Sequence, residues 1–129
     1  CGVIELVNAP PADAGPAGFD VRGALRRLGG DSETYRMVLE LFAADEADFR
    51  ERFAAALAAG DLAGATRCAH TLKGLAASAG ATALSEAARA LEYGCREGIA
   101  DEELAEREEA VAIALDEALA AIAGYFRKA

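Results

Sequence analysis

The chain contains a single histidine, His70, within the run Ala69-His70-Thr71-Leu72-Lys73-Gly74. An imidazole with a pKa near 6.5 is largely neutral at pH 7 and keeps a free ring nitrogen. Such a nitrogen can attack the phosphorus of an acyl phosphate and form a phosphoramidate. Arg67 and Lys73 stand three residues before and after His70. Both could offset the negative charge on a transferring phosphoryl group. At about 100° per residue, Ala63, Thr66, Arg67, His70, Lys73, Gly74 and Ala77 share one face of a helix, with Ser78 lateral to the histidine. Ala65, Cys68, Leu72, Leu75, Ala76 and Ala79 gather opposite, so His70 is expected to point away from the core.

Gly74 carries information because a mid-helix glycine costs about 1 kcal/mol relative to alanine. Its place one turn from His70, with Ala63, Thr66 and Ala77 nearby, leaves space for a partner's active site to close over the ring. Taken singly, each residue has a plain reading: a solvated surface His, a solubilising Lys, a glycine at a helix contact. It is their combination on one face that points to chemistry.

The elements that must position this face are legible from periodicity and punctuation. A short helix is expected over Asp20–Leu28, with Val21, Leu25 and Leu28 on one side and Gly29-Gly30 ending it. Asp31 or Ser32 caps a long helix carrying Tyr35, Val38, Phe42, Phe49 and Phe53 at helical spacing. That helix is expected to run about 40 Å to Ala59, with Gly60 as its stop. Asp61 caps the helix that carries His70, and Gly80 ends it. Thr82 caps a further helix through Leu84, Ala87, Ala88 and Leu91 to Gly94 or Gly98. The last helix starts near Asp101. Its early acids (Asp101, Glu102, Glu103, Glu106, Glu108 and Glu109) suit a helix N-terminus and a solvated face. Leu104, Val111, Leu115, Ala118 and Ile122 form its apolar stripe. Short connections make successive helices antiparallel neighbours. The expected fold is all-α: an up-down-up-down four-helix bundle with an additional short N-terminal helix.

Composition agrees with this and narrows the function. With 129 residues, the chain has room for one domain. It is 53% hydrophobic but only 6% aromatic and has no Trp; Ala and Leu dominate and long β-branched runs are missing. The net charge of −9 argues against nucleic acid and against an anionic membrane surface, leaving a protein partner. The three cysteines, Cys1, Cys68 and Cys95, are odd in number and widely spaced. They suit a reducing compartment, the cytoplasm, better than a disulfide framework. No apolar run approaches a membrane span, and no basic start leads into an apolar stretch as in a signal peptide. Residues 1–18 hold all three prolines and read as a linker or tail, with 19–129 as the domain. Cys1 to Val7 could end a preceding strand or be a vector remnant.

The run around His70, followed by Ala76-Ala77, Gly80-Ala81, Leu84 and Leu91-Glu92, closely resembles the signature of histidine-containing phosphotransfer (HPt) domains. Upstream, Leu25-Arg26-Arg27-Leu28-Gly29-Gly30-Asp31, Leu39-Glu40-Leu41-Phe42 and Ala58-Ala59-Gly60-Asp61-Leu62 also look like family positions, so the resemblance covers roughly residues 19–126. It implies that His70 accepts and donates a phosphoryl group in a bacterial two-component phosphorelay. It also implies that Lys73 helps neutralise that group and that Gly74 keeps the histidine accessible. The implied partners are response-regulator receiver domains, which supply the reacting aspartates and Mg²⁺; no cofactor or metal of the domain's own and no kinase activity are implied. The linker fits a module following a receiver in the same polypeptide of a hybrid sensor kinase, and a free-standing transmitter fits as well. A monomer is the default expectation. Position 75 is Leu where the family often has a small or polar residue, and position 78 is Ser where Asn is frequent.

Three other readings compete. A helical docking module that binds a receiver or another protein without phosphotransfer would share most of these features. A metal-binding bundle is disfavoured because Cys68 and His70, two residues apart on a helix, face different ways and there is no second His. A hydrolase would need a nucleophile, base and orienting acid converging in a pocket.

Overall fold

The computed structural model describes residues 15–128, which form six helices and no strand. They are α1 (Val21–Arg27), α2 (Ser32–Glu46), α3 (Phe49–Ala58), α4 (Leu62–Ala79), α5 (Thr82–Glu97) and α6 (Asp101–Lys128). The expected linker residues 1–14 lie outside the described part. Gly15 and Pro16, also assigned to that linker, are buried.

Asp20, Asp31 and Asp61 cap α1, α2 and α4, each accepting a backbone N–H with its carboxylate. The expected cap at Thr82 is displaced by one residue: Ala81 is the N-cap, without a side-chain bond, and Thr82 is already helical. Of the two expected stops for α5, Gly98 is the one used, in the left-handed region. Gly94 stays inside the helix and is buried against Ile99 and Leu104, where a Cβ would come within 2.7 Å of the isoleucine.

The long helix expected from residue 32 to 59 is interrupted. Ala47 keeps helical dihedrals, but Asp48 moves to φ −103°, ψ 20°. Arg52 holds the break. Its Nε donates to Asp48 at 2.8 Å, and its Nη2 donates to the Asp45 carbonyl at 2.9 Å and to Glu46 Oε1 at 3.2 Å. The guanidinium takes a backbone acceptor and two carboxylates that a continuous helix would leave to the ladder and to water. Phe42, Glu46, Phe49 and Phe53 nevertheless face the core in one continuous stripe, so α2 and α3 act as one bent arm of the bundle.

The core is a single cluster. It joins Tyr35, Leu39, Phe42, Phe49 and Phe53 of this arm to Ala65, Ala69, Leu72 and Ala76 of α4, Leu84, Ala88 and Leu91 of α5, and Val111, Leu115 and Ile122 of α6. Burying a side chain of Leu, Ile or Phe size is worth about 1.5–3 kcal/mol. α4 packs against α3 and α5, whereas α6 packs against α5 and α2. α4 and α6 therefore stand at opposite corners of a four-cornered bundle, and α1 closes the C-terminal end of α4.

That closure satisfies carbonyls which a helix end leaves orphaned. The buried Tyr35 hydroxyl donates to Ala79 O at 2.7 Å, and Arg27 Nη2 donates to Ala77 O at 2.6 Å. Burial pushes the Tyr35 phenol up to about 12, which keeps it a donor. The Asp20 N–H donates to Gly80 O at 2.7 Å. Gly80 has φ +88°, and a Cβ there would sit 2.6 Å from the Asp20 carbonyl oxygen. Only glycine meets both demands.

Candidate functional site

The buried faces of α4 and α5 carry small residues, Ala65, Ala69 and Ala76 on α4 and Ala88 on α5, all fully buried. Short side chains let the two helices approach, and this brings the middle of α5 within reach of the outward face of α4. The Ser85 hydroxyl of α5 donates to the Lys73 carbonyl of α4 at 3.0 Å, tying the helices beside the histidine.

His70 is exposed, its side chain 64% accessible. It points away from the core as expected, but it is also held by a partner from the next helix. Its Nδ1 lies 2.9 Å from Oε2 of Glu92 on α5, a carboxylate only 3% accessible. Lys73 Nζ lies 2.8 Å from the other oxygen of Glu92, and Arg96, one turn further along α5, donates to Oε2. Glu92 thus gathers three donors on two oxygens. Burial pushes its carboxyl up, but the hydrogen bonds from Lys73, His70 and Arg96 outweigh burial and bring it down to about 2. It is ionised throughout the physiological range.

An ionised carboxylate can only accept, so Nδ1 of His70 carries the proton. In the neutral ring the lone pair is then on Nε2, which makes no hydrogen bond among the described residues. The arrangement is a histidine held by one nitrogen and open at the other. Positive charge that develops on the ring when Nε2 forms a bond faces the Glu92 carboxylate.

Of the residues singled out from the sequence, Lys73 joins this network. Arg67 does not: it is exposed and meets no acid among the described residues. The helix geometry explains the difference. Lys73 and Arg67 lie about 60° to either side of His70 on α4, and only the Lys73 side faces Glu92. Gly74, Ala63, Ala77 and Ser78 are exposed. A Cβ at Gly74 would meet nothing within 4 Å, so no crowding within the described chain explains the glycine. Thr66 is half-buried, and its hydroxyl donates to Leu62 O at 2.8 Å. Cys68 and Leu75 are half-buried rather than core, while Ala69 is fully buried. The buried stripe of α4 is thus turned slightly from its expected position.

Glu92 and Arg96 are the site residues that sequence reasoning missed. The signal was present in the phase of α5: Glu92 falls one turn after Ala88 and two after Leu84, on the face that also carries Leu91 and Cys95. A lone acid among core positions needs partners, and the cations that reach it are Arg96, one turn further along α5, and Lys73 across the helix contact. Among the described residues no group of three or more His, Cys, Asp or Glu is placed to hold a metal ion. No described helix is long and apolar enough to cross a membrane.

Neither the curated proteins nor the solved structures yielded a match. The family model described as Hpt domain matches residues 37–125, from the first turns of α2 almost to the end of α6 and including every residue of the His70 network. With more than half its length under that match and an all-helical bundle to carry it, the chain belongs to the Hpt domain family, the histidine phosphotransfer modules of phosphorelays.

Proposed function

We propose that this chain accepts a phosphoryl group on Nε2 of His70 from the phosphoaspartate of one receiver domain and passes it to the aspartate of another. The observation that carries the reading is the hydrogen bond from His70 Nδ1 to the buried, ionised Glu92. In the forward step Nε2 attacks phosphorus, the bond from phosphorus to the aspartyl oxygen breaks, and the aspartate leaves as carboxylate. The proton stays on Nδ1, and the ring's new positive charge is offset by Glu92. Lys73 and Arg96 are near enough to turn toward the phosphoryl oxygens, and the receiver brings its own Mg²⁺. The reverse step uses the same contacts, so direction follows the relative phosphorylation of the two receivers.

Gly74, Ala63 and Ala77 form the open ground on which a receiver would close over the ring, with Thr66 and Ser78 at its edges. Arg67 is a peripheral charge in this reading. Free Cys68 and Cys95 suit the cytoplasm.

The test is incubation with a ³²P-labelled receiver domain, comparing wild type with His70→Gln. Label should move to the wild type, be lost in acid, survive in base and be absent from the variant. If no label moves from a panel of receivers, the reading fails and the chain is a docking bundle.

A further inference from the structure

The average charge of −9 conceals a sorted surface. α1, α4 and α5 carry seven of the thirteen Lys and Arg residues, and α1 and α4 contain no acid at all. α6, at the opposite corner from α4, carries eight acids. Of the seven cations, Lys73 and Arg96 share Glu92. Arg22, Arg26, Arg27, Arg67 and Arg89 meet no acid among the described residues, whereas Arg50, Arg52 and Arg107 each do. Arg36 of α2 and Arg127 of α6 also meet none, but Arg36 lies over the Phe126 ring; five of the acid-free arginines fall on α1, α4 and α5, and in a chain with acids in such excess they suggest an acidic partner from outside.

A groove of about 360 Å³ opens beside the His70 network. Arg27 of α1 lines it, with Lys73 and Ala77 of α4 and Ser85, Glu86 and Arg89 of α5. Asp20 also lines it, but its carboxylate is committed to capping α1. Arg27 is pinned across the groove by its bond to Ala77 O, and Arg89 is exposed. With Lys73 held by Glu92 and Asp20 by its cap, two guanidiniums face the one remaining carboxylate of the groove, that of Glu86.

We infer that this groove receives an acidic side chain of the docking receiver, with Arg89 and Arg27 as the residues that decide which receivers are served. The inference rests on the phosphotransfer reading and adds a specificity contact to it. A guanidinium fork matches a carboxylate in two parallel hydrogen bonds. Charges at the edge of an interface act chiefly on association rate and partner choice. The opposed acidic corner at α6 would turn the domain so that the His70 face meets an acidic receiver first.

The test compares wild type, Arg89→Glu and Arg89→Lys; Arg89 is chosen because substituting Arg27 would also undo the closure of α4. Transfer from labelled receivers is measured at low and high ionic strength. In parallel, His70 is labelled directly with phosphoramidate, whose P–N bond breaks with loss of ammonia as the Nε2–P bond forms, so that no docking is involved. R89E should lower the rate of transfer about tenfold or more at low salt, with the gap closing at high salt. R89K, which keeps the charge but loses the fork, should fall between wild type and R89E at low salt, and phosphoramidate labelling should be equal in all three. Equal receiver transfer by R89E and wild type would overturn the specificity contact while leaving phosphotransfer intact. A loss that persists at high salt, or that extends to phosphoramidate, would also overturn it. Failure of every receiver with the wild type would overturn the underlying reading and this inference with it.

Discussion

Two glutamates in this protein are equally buried and behave in opposite ways. Glu46, at the break between α2 and α3, and Glu92, in the middle of α5, are each 2% exposed. Glu46 is held above its ordinary range: burial dominates, Arg52 opposes it, and neighbouring Asp45 and Asp48 add to the upward push. Glu92 is buried too, yet the three donors from Lys73, His70 and Arg96 bring it down to about 2. Depth and donors both separate them: Glu46 lies deeper among protein atoms with one shared cation, whereas Glu92, equally hidden from solvent, lies shallower and gathers three donors. At the helix break Arg52 divides its donors among Glu46, Asp48 and a carbonyl. At the α4–α5 contact three side chains converge on one carboxylate, and one of them is the candidate nucleophile. A buried acid with one shared partner is held above its ordinary range; one with three donors, beside an exposed histidine, is a fixed anion.

The largest expected effect tests whether the ground beside that anion is for docking. Gly74→Arg should abolish transfer from receivers while circular dichroism and the melting curve show the bundle intact, because a side chain there meets only open space. Next comes the comparison itself. Glu92→Ala should slow transfer on the order of 100-fold, below the roughly 10⁴-fold seen when a fully buried tautomer-fixing carboxylate is altered in a hydrolase. Glu46→Ala, a change of the same kind at equal burial, should leave transfer rates unaltered in the same assay. If the two variants lose transfer equally, the distinction between the two acids is wrong.

Much of this was legible in the sequence, for reasons that also explain what was not. Gly60, Gly80 and Gly98 end helices because they alone reach positive φ cheaply, so the turns, and with them the bundle, could be read directly. Tyr35, Phe42, Phe49 and Phe53 lie in the buried stripe of the first arm as expected, whereas Val38 is half-buried and its neighbour Leu39 takes the core position. The break inside that arm was hidden: Ala47 is a strong helix former, and what interrupts the helix is the reach of Arg52 back to Asp45, Glu46 and Asp48. His70, Lys73 and Gly74 stood out because they share one face of one helix. Glu92 did not, since its role depends on how closely α5 approaches α4, which periodicity within either helix does not contain. The net charge of −9 argued against nucleic acid and an anionic membrane surface and left a protein partner open, and its uneven division among the helices follows from the fold.

A smaller effect sharpens the contrast within α4. Lys73→Ala should reduce the transfer rate about tenfold, in keeping with a charge-assisted hydrogen bond of roughly 1.5 kcal/mol. Arg67→Ala should change it less than about twofold in the same assay, because its side of the helix faces away from Glu92. A reversal of that order would move the charge-stabilising role to Arg67.

The smallest effect is on stability against pH, where the two glutamates should carry opposite signs. The native carboxyl of Glu92 lies below its unfolded value, so its contribution is present above about pH 4.5 and is lost as pH falls toward about 2. That of Glu46 lies above its unfolded value, so stability falls as pH rises through the unfolded value toward the native one. In chemical denaturation across pH 2–7, Glu92→Gln should flatten the rise between about 2 and 4.5, and Glu46→Gln should remove the decline at higher pH. Matching slopes in the two variants would contradict the assignment.

The most direct test of the central claim is ³¹P and ¹⁵N NMR of the domain after it has taken phosphate from a receiver. The arrangement at Glu92 predicts one phosphohistidine, with phosphorus on Nε2 and the proton retained on Nδ1. Phosphorus on Nδ1, or label that persists in His70→Gln, would contradict it.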